Sequence, residues 1–130
     1  LVHVRIRLII YHFKNLVYLL SGNSYNKGTG TLITRNTVLT AAHCIVDNVP
    51  TYTILLGTVD LKQPYKKVTA SKAVVHQNFN SEMYVNDIAI LYLDEEVELD
   101  DYIQVACLPD FSRIVYPTSA NIPAWIVGYG

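Results

Sequence analysis

Short apolar stretches alternate with clusters of turn-forming residues along most of the chain, and no long segment has helical periodicity. The apolar and β-branched runs have the length of strands, while the glycine, asparagine, serine and proline between them favour turns. We therefore predict six strands, over 16–20, 29–33, 38–40, 51–56, 68–75 and 88–93. The protein is predicted to be all-β.

The spacing of these strands predicts how they are arranged. Six short strands joined by turns predict a small closed antiparallel barrel, since closure removes exposed sheet edges; the resemblance described below implies the Greek-key type. The acidic run 94–101 follows the last predicted strand and is interpreted as a solvated loop. Beyond Pro109 the chain, which contains Pro117 and Pro123, is predicted to be a linker.

The first residues follow a different pattern. Apolar residues at even positions over 2–10 alternate with His3, Arg5 and Arg7, and this period of two favours a strand with one basic face. The basic residues interrupt the apolar run, so neither a signal peptide nor a membrane span is predicted. Two interpretations stay open, a true extension or an error at a gene boundary. Because the sequence begins with leucine, we expect a processed or incomplete product.

Composition limits the classes of function. At 130 residues the chain is one domain with its own core or a piece of a larger protein. A hydrophobic content of 51% with 16% charged residues argues against disorder. A net charge of −1 argues against nucleic acid as a partner.

One histidine and one aspartate stand where chemistry is expected. The run 37–40 leads into two alanines, so His43 falls just beyond the end of a strand. A histidine acts as a general base at neutral pH only if a partner fixes its tautomer and orientation. Asp87, 44 positions later, stands directly before an apolar run that we predict to be a strand buried on both faces.

These two segments, Thr-Ala-Ala-His-Cys ending at Cys44 and Asp-Ile-Ala-Ile-Leu starting at Asp87, resemble the trypsin and chymotrypsin family of serine proteases. Further matches follow in the family's order and carry the resemblance over roughly 17–130: Gly30-Thr31-Leu32-Ile33, His76-Gln77-Asn78-Phe79, Cys107-Leu108-Pro109, and Gly128-Tyr129-Gly130 in place of Gly-Trp-Gly. The resemblance divides the chain into an unmatched extension, the first of the family's two barrels, and an inter-barrel linker with the start of the second barrel, over 1–15, 16–109 and 110–130.

The resemblance implies a reaction and an incomplete site. His43 would be the general base and Asp87 would accept its Nδ1 proton, leaving Nε2 to take a proton from a serine hydroxyl. The family's serine lies in Gly-Asp-Ser-Gly-Gly, which this chain lacks; none of its serines has such surroundings, namely Ser21, Ser24, Ser71, Ser81, Ser112 and Ser119. We therefore expect a fragment of an endopeptidase that is inactive alone.

The same resemblance implies partners and a location. A peptide or protein would be the substrate of the intact enzyme, and the missing C-terminal barrel would be the partner of this one. The location would be extracellular, with no membrane contact. No cofactor is expected, and calcium is not predicted because Asp60 is the one obvious acid in the loop after Leu56.

The cysteines depart from the family's pattern. The cysteine beside the histidine usually pairs with one sixteen positions earlier, where this chain has Gly28, so Cys44 is expected to lack that bridge. Ala124 replaces a second family cysteine, and whether Cys44 and Cys107 pair with each other stays open. The four histidines and two cysteines match no closed zinc spacing, so no metal site is predicted.

Two further residues have competing interpretations. Tyr84 lines the substrate cleft beside His43 or packs within its loop. His76 stands where the family often has a noncatalytic histidine, and we assign it a structural role.

Two alternatives to the protease hypothesis remain. The first is a noncatalytic protease homologue that acts by binding; the absent partner of Cys44 favours it, and the intact His43 and Asp87 argue against it. The second is an unrelated small β-barrel binding module, which would require the ordered motif matches to be coincidental.

Overall fold

The computed structural model describes residues 14–21, 27–45, 49–108, 110 and 127–129. Predictions for the basic-faced N-terminal strand, for the linker prolines, for Pro109 and for Ala124 lie outside these ranges. Within them, a short 3₁₀ turn, Ala42–Cys44, interrupts a series of strands. The strands are β1 Leu16–Ser21, β2 Lys27–Thr34, β3 Thr37–Thr40, β4 Tyr52–Leu56, β5 Lys66–Val75 and β6 Ala89–Leu93.

These strands form a closed barrel in the order β1-β2-β3-β6-β5-β4. Every neighbouring pair is antiparallel, including the β1–β4 and β3–β6 pairs that join strands distant in sequence. The predicted fold is therefore confirmed, and each predicted strand boundary lies within two residues of the observed one. Closure pairs every described strand on both sides, so no strand is left at an edge.

The core fills the barrel with alternate side chains of each strand. On β6, Leu91 and Leu93 are buried while Tyr92 is 37% exposed. On β5, Val68 and Ala70 are buried and their neighbours face out. This period of two follows from the pleat, because successive side chains point to opposite faces of a sheet.

The prediction that the last strand is buried on both faces is wrong. Ile88 is exposed and Ile90 is only partly buried, because a closed barrel has one inner face and a continuous apolar run does not reveal which residues use it. The strand buried on both faces is β1, in which Leu16, Val17, Tyr18 and Leu19 are all buried. The outer face of β1 is covered partly by Tyr129, which lies against Tyr18.

The acidic run after β6 is irregular and its carboxylates are exposed except for that of Asp100, which is partly buried, so the predicted loop is confirmed. It nevertheless contributes to the core. Val97 is fully buried, and its carbonyl accepts a hydrogen bond from the Arg35 side chain at 3.1 Å. Ile103, just beyond the run, is also buried, so this loop helps to fill the barrel.

The pairing of β3 with β6 decides where the candidate residues His43 and Asp87 lie. Thr40, the last residue of β3, pairs with Ala89, the first residue of β6. In an antiparallel pair, residues that follow one strand lie beside those that precede the other. This register therefore brings the residues after Thr40 and the residues before Ala89 to the same end of the barrel.

In the ranges that the structure describes, no helix is long and apolar enough to cross a lipid bilayer.

Replacing Leu91 by alanine is expected to lower the free energy of unfolding by about 3 kcal/mol, because removing a fully buried side chain would leave a cavity in the core of the barrel. Val74→Ala, on the neighbouring strand and 48% exposed, is the control and should change stability by about 0.5 kcal/mol or less. Urea unfolding followed by circular dichroism measures both. Equal losses in the two variants would contradict this assignment of the core.

Candidate catalytic pair

The histidine lies on a tight turn that follows β3. Ala41 keeps an extended backbone, and the chain then closes a 3₁₀ turn in which the Cys44 amide donates to the Ala41 carbonyl at 3.1 Å and the Ile45 amide donates to the Ala42 carbonyl at 2.9 Å. Ala42 is buried, and a larger side chain there would have to displace its neighbours. His43 therefore projects from the barrel end, with half of its side-chain surface exposed.

The aspartate follows a loop that is fixed by asparagine side chains. The Asn80 carboxamide oxygen accepts the amides of Glu82 and Met83 at 2.9 and 3.0 Å. The Asn86 side chain donates to the Asn78 carbonyl at 2.9 Å. These bonds hold the chain on both sides of the loop tip, so Asp87 enters β6 from a defined direction.

Two residues of this loop have a left-handed backbone. Asn86 has φ of 56°, a conformation that asparagine adopts more readily than most residues. Tyr84 has φ of 52°, which costs about 1–3 kcal/mol for a bulky side chain and persists only if its surroundings fix it. Strain of this kind concentrates at functional sites.

His43 and Asp87 meet through two hydrogen bonds. The His43 amide donates to Asp87 Oδ1 at 2.8 Å, and His43 Nδ1 lies 2.6 Å from Asp87 Oδ2. The carboxylate therefore binds both the backbone and the ring of one residue, which fixes the position and the rotation of the imidazole. With the Nδ1 proton donated to Asp87, Nε2 of the neutral ring is free to accept a proton. The prediction that these side chains meet is confirmed.

The environment of Asp87 favours its ionised form. Partial desolvation raises the pKa of the carboxyl, whose side chain is 20% exposed. Hydrogen bonds from the His43 ring and amide, the charge of His43 and the Ala42 amide together outweigh this effect, so the pKa of Asp87 is lowered. A carboxylate that stays charged holds the imidazole in one tautomer and stabilises an imidazolium when one forms.

Tyr84 contacts His43, whereas His76 makes a local contact within its own turn. The Tyr84 ring meets the His43 ring edge-on, with centroids 5.7 Å apart and an interplanar angle of 76°, and its side chain is 63% exposed. Tyr84 therefore lies beside His43, as the cleft hypothesis expects. His76 accepts the Asn78 amide through Nδ1 at 3.1 Å, a structural contact that stabilises its turn.

The cysteine next to the histidine is a free thiol. Burial raises the pKa of Cys44, outweighing its hydrogen bond with Thr40, so the thiol is a weak nucleophile. A Cβ placed on Gly28 would lie 2.8 Å from the Cys44 Sγ, so Gly28 and Cys44 are neighbours even though no bridge links them. Cys107 is exposed and also free, which shows that the two cysteines do not pair with each other.

Other features of the surface do not coincide with this pair. Among the described residues, no three or more histidine, cysteine, aspartate or glutamate side chains converge on a point that could hold a metal ion. A surface depression of about 380 Å³ does not include His43 or Asp87 in its lining, which consists of Lys67, Val68, Thr69, Asp94 and Glu95.

Sequence reasoning missed the residues that support the pair. The sequence analysis gives no role to Asn80 or Asn86, and the signal that could mark them is the frequency of asparagine in a loop next to a candidate acid. The bond from the Thr40 hydroxyl to the Thr29 carbonyl, 3.0 Å long, has no local signal, because it joins two strands.

Asp87→Asn is expected to lower the free energy of unfolding at neutral pH. Because the folded state lowers the pKa of Asp87, the unfolded state takes up a proton first, and protonation favours unfolding. The difference in the free energy of unfolding between the wild type and Asp87→Asn should be fully present above about pH 3.9, the ordinary aspartate pKa. It should be lost as the pH falls through the lower pKa that Asp87 has in the folded state. Urea unfolding across this range measures the difference.

Asp101→Asn is the control for this experiment, because it removes an exposed carboxylate of the acidic run. Asp101→Asn should not reproduce the pH-dependent loss in the free energy of unfolding. A difference between wild type and Asp87→Asn that stays constant down to about pH 2 would contradict the proposed origin in the carboxylate.

Gly28→Cys is expected to form a disulfide with Cys44, since a Cβ at position 28 would lie 3.1 Å from the Cys44 Cβ, so a backbone shift of about 0.4 Å would reach the range of about 3.5–4.5 Å found in disulfides. Closing a loop of this length should raise the free energy of unfolding by about 3 kcal/mol. Gly28→Ser, of similar size but unable to bond, should destabilise by crowding Cys44. Thiol titration with and without reductant measures the bond, and a fully titratable Cys44 after oxidation would disprove it.

Known proteins share this fold and these motifs. A model of the family described as Trypsin matches residues 13–130. Chymotrypsin-C of Bos taurus is 43% identical over 105 residues, which cover 78% of this chain and 38% of that protein. Chymotrypsin-like elastase family member 1 of Rattus norvegicus is 37% identical over 121 residues, which cover 89% of this chain and 44% of that protein.

A solved structure titled HL collagenase has a TM-score of 0.68 and 28% identity with this chain, covering 77% of it and 44% of the collagenase chain. The chain thus spans about two fifths of the length of the curated relatives it matches. Both the family match and the shared barrel include the segments that carry His43 and Asp87. From its sequence and its barrel, this chain belongs to the trypsin family.

Proposed function

We propose that this chain supplies the general base and the orienting carboxylate of a trypsin-like serine endopeptidase. The observation that supports this most directly is the contact of 2.6 Å between His43 Nδ1 and Asp87 Oδ2, together with the amide bond from His43 to the same carboxylate. Both bonds fix the imidazole with Nε2 available, which is the arrangement that base catalysis requires.

In the proposed reaction, His43 Nε2 takes the proton of a serine hydroxyl as its oxygen attacks the carbonyl carbon of a peptide bond. Asp87 stabilises the imidazolium that forms. His43 then returns the proton to the leaving amine, and a water molecule activated in the same way hydrolyses the acyl-enzyme. Peptide hydrolysis thus needs one base that accepts and releases a proton twice.

The nucleophile and the oxyanion hole of this reaction belong to a segment outside the 130 residues. No Gly-Asp-Ser-Gly-Gly sequence occurs in the chain. Among its described serines, Ser71 donates its hydroxyl to Asp94 at 2.9 Å and so is committed to a structural contact. We therefore propose that the chain alone is inactive, and that a second barrel provides the serine and the substrate pocket.

The proposed substrate is a peptide or protein, and the proposed location is extracellular. Both proposals derive from membership of the trypsin family, since the residues that choose a substrate side chain lie outside this chain. Tyr84 lies beside His43 and is the described residue best placed to contact a bound peptide, because its ring is largely exposed.

A noncatalytic homologue that acts by binding is the second candidate. The specific observation in its favour is Gly28, which leaves Cys44 without the covalent partner that resembling proteases have. A precise catalytic geometry is not needed for binding alone, so the fixed His43–Asp87 pair favours the enzyme. Family membership excludes the third hypothesis, an unrelated β-barrel module.

The test begins with the 130-residue chain. It should not react with a fluorophosphonate probe and should not hydrolyse peptide esters, since it lacks a serine activated by His43. In-gel fluorescence after labelling measures this. Labelling that is abolished by His43→Ala would show that the chain has its own nucleophile and would contradict the proposed inactivity.

The second step uses the full product of the gene that encodes this chain. Gly-Asp-Ser-Gly-Gly downstream of residue 130 and fluorophosphonate labelling are expected, with labelling lost in His43→Ala. Asp87→Asn should lower turnover by about 10⁴-fold, which is the loss known for the same change in the trypsin family. A substituted serine would instead support the binding homologue.

A further inference from the structure

Residues 127–129 lie against the barrel through Tyr129. The Tyr129 amide donates to Thr29 Oγ1 at 3.3 Å, and the phenol donates to the Thr58 carbonyl at 2.7 Å. The ring meets Tyr18 edge-on, with centroids 5.4 Å apart. Burial raises the pKa of Tyr129 to about 12, as expected for a phenol removed from water. This one residue therefore contacts β1, β2 and the turn after β4.

Thr29 joins this contact to the histidine turn. Its hydroxyl accepts the Tyr129 amide, while its carbonyl accepts the Thr40 hydroxyl at 3.0 Å. Thr40 is buried, and the Ala42–Cys44 turn begins two residues after it. The bond to the Thr29 carbonyl therefore fixes the chain just before the segment that contains His43.

The Thr29–Thr40 hydrogen bond matters because no disulfide joins β2 to the histidine turn. Gly28, next to Thr29 on β2, lies against Cys44 without a bridge. The Thr29–Thr40 bond connects the same two segments noncovalently, and a single hydrogen bond is worth about 1 kcal/mol. Contacts that hold Thr29 in position, such as the Tyr129 amide, therefore affect how well the turn is held.

We propose that Thr29 and Tyr129 are positioning residues that couple segment 127–129 to the His43 turn. This inference rests on the proposed function, in which the orientation of His43 matters for proton transfer. Neither residue touches the reacting atoms. They act through Thr40, which fixes the start of the turn from which the His43 amide and ring reach Asp87.

The test is amide hydrogen exchange, measured by NMR on the ¹⁵N-labelled 130-residue chain. Thr29→Val keeps the shape of the side chain and removes the hydroxyl that accepts the Tyr129 amide. Exchange at the Tyr129 and His43 amides should become about fivefold faster, the change that one ordinary hydrogen bond produces. Thr29→Ser restores a hydroxyl and should return both rates to within about twofold of the wild type.

Tyr129→Phe tests the other end of the link. It removes the phenol and keeps the ring against Tyr18, so segment 127–129 loses its bond to Thr58. The same two amides should exchange faster. Tyr102→Phe, the same change at an exposed position, is the matched control and should alter neither amide.

The amides of the buried residues Leu91 and Ile54 report global unfolding in the same spectra. If they accelerate as much as the His43 amide, the residues only stabilise the fold, and the proposal is overturned. It is also overturned if the Tyr129 amide accelerates while the His43 amide does not.

These results can be separated from a failure of the proposed function. The downfield ¹H NMR resonance of the His43 Nδ1 proton, which is hydrogen-bonded to Asp87, is measured on the unmodified chain. Its absence would contradict the proposed base, whatever the exchange rates. If this resonance is present and Thr29→Val leaves the His43 amide unchanged, the protease proposal stands and the positioning role alone fails.

Discussion

The pairing of β3 with β6 is the constraint on which the site depends. His43 and Asp87 are 44 positions apart, and the strands beside them are not neighbours in the sequence. The register that places Thr40 beside Ala89 brings both residues to one end of the barrel. Because side chains on a strand alternate between faces, a shift of one residue would turn Leu91 outward and move Asp87 away from the turn. Core packing and site geometry therefore depend on the same register.

The pair is held by its backbone as much as by its side chains. Asp87 binds the amide and the ring of His43, so a movement of the 3₁₀ turn would break both bonds together. The loop before Asp87 accepts left-handed conformations at Tyr84 and Asn86, which asparagine hydrogen bonds stabilise. In the proposed function these elements are fixed before substrate binds, so little reorganisation would be needed when charge develops on the imidazole.

Noncovalent contacts connect the histidine turn to the rest of the barrel. Gly28 lies where a cysteine would reach Cys44, and the hydroxyl of Thr40 instead connects the turn to Thr29. Tyr129 extends this connection to segment 127–129. Hydrogen bonds of this kind are individually weak but directional, so they specify the orientation of a turn more than they add to global stability.

The sequence by itself determined the all-β class, the strand positions within two residues and the family, and it named His43 and Asp87 as the candidate pair, because these are recorded in local patterns and ordered motifs. It did not determine which faces of β1 and β6 are buried. An apolar run has the same composition whichever face it uses, and only barrel closure and the position of Tyr129 decide this. The contacts among Thr29, Thr40 and Tyr129 were likewise decided only by the tertiary structure, because each joins segments whose proximity depends on the strand order of the whole barrel.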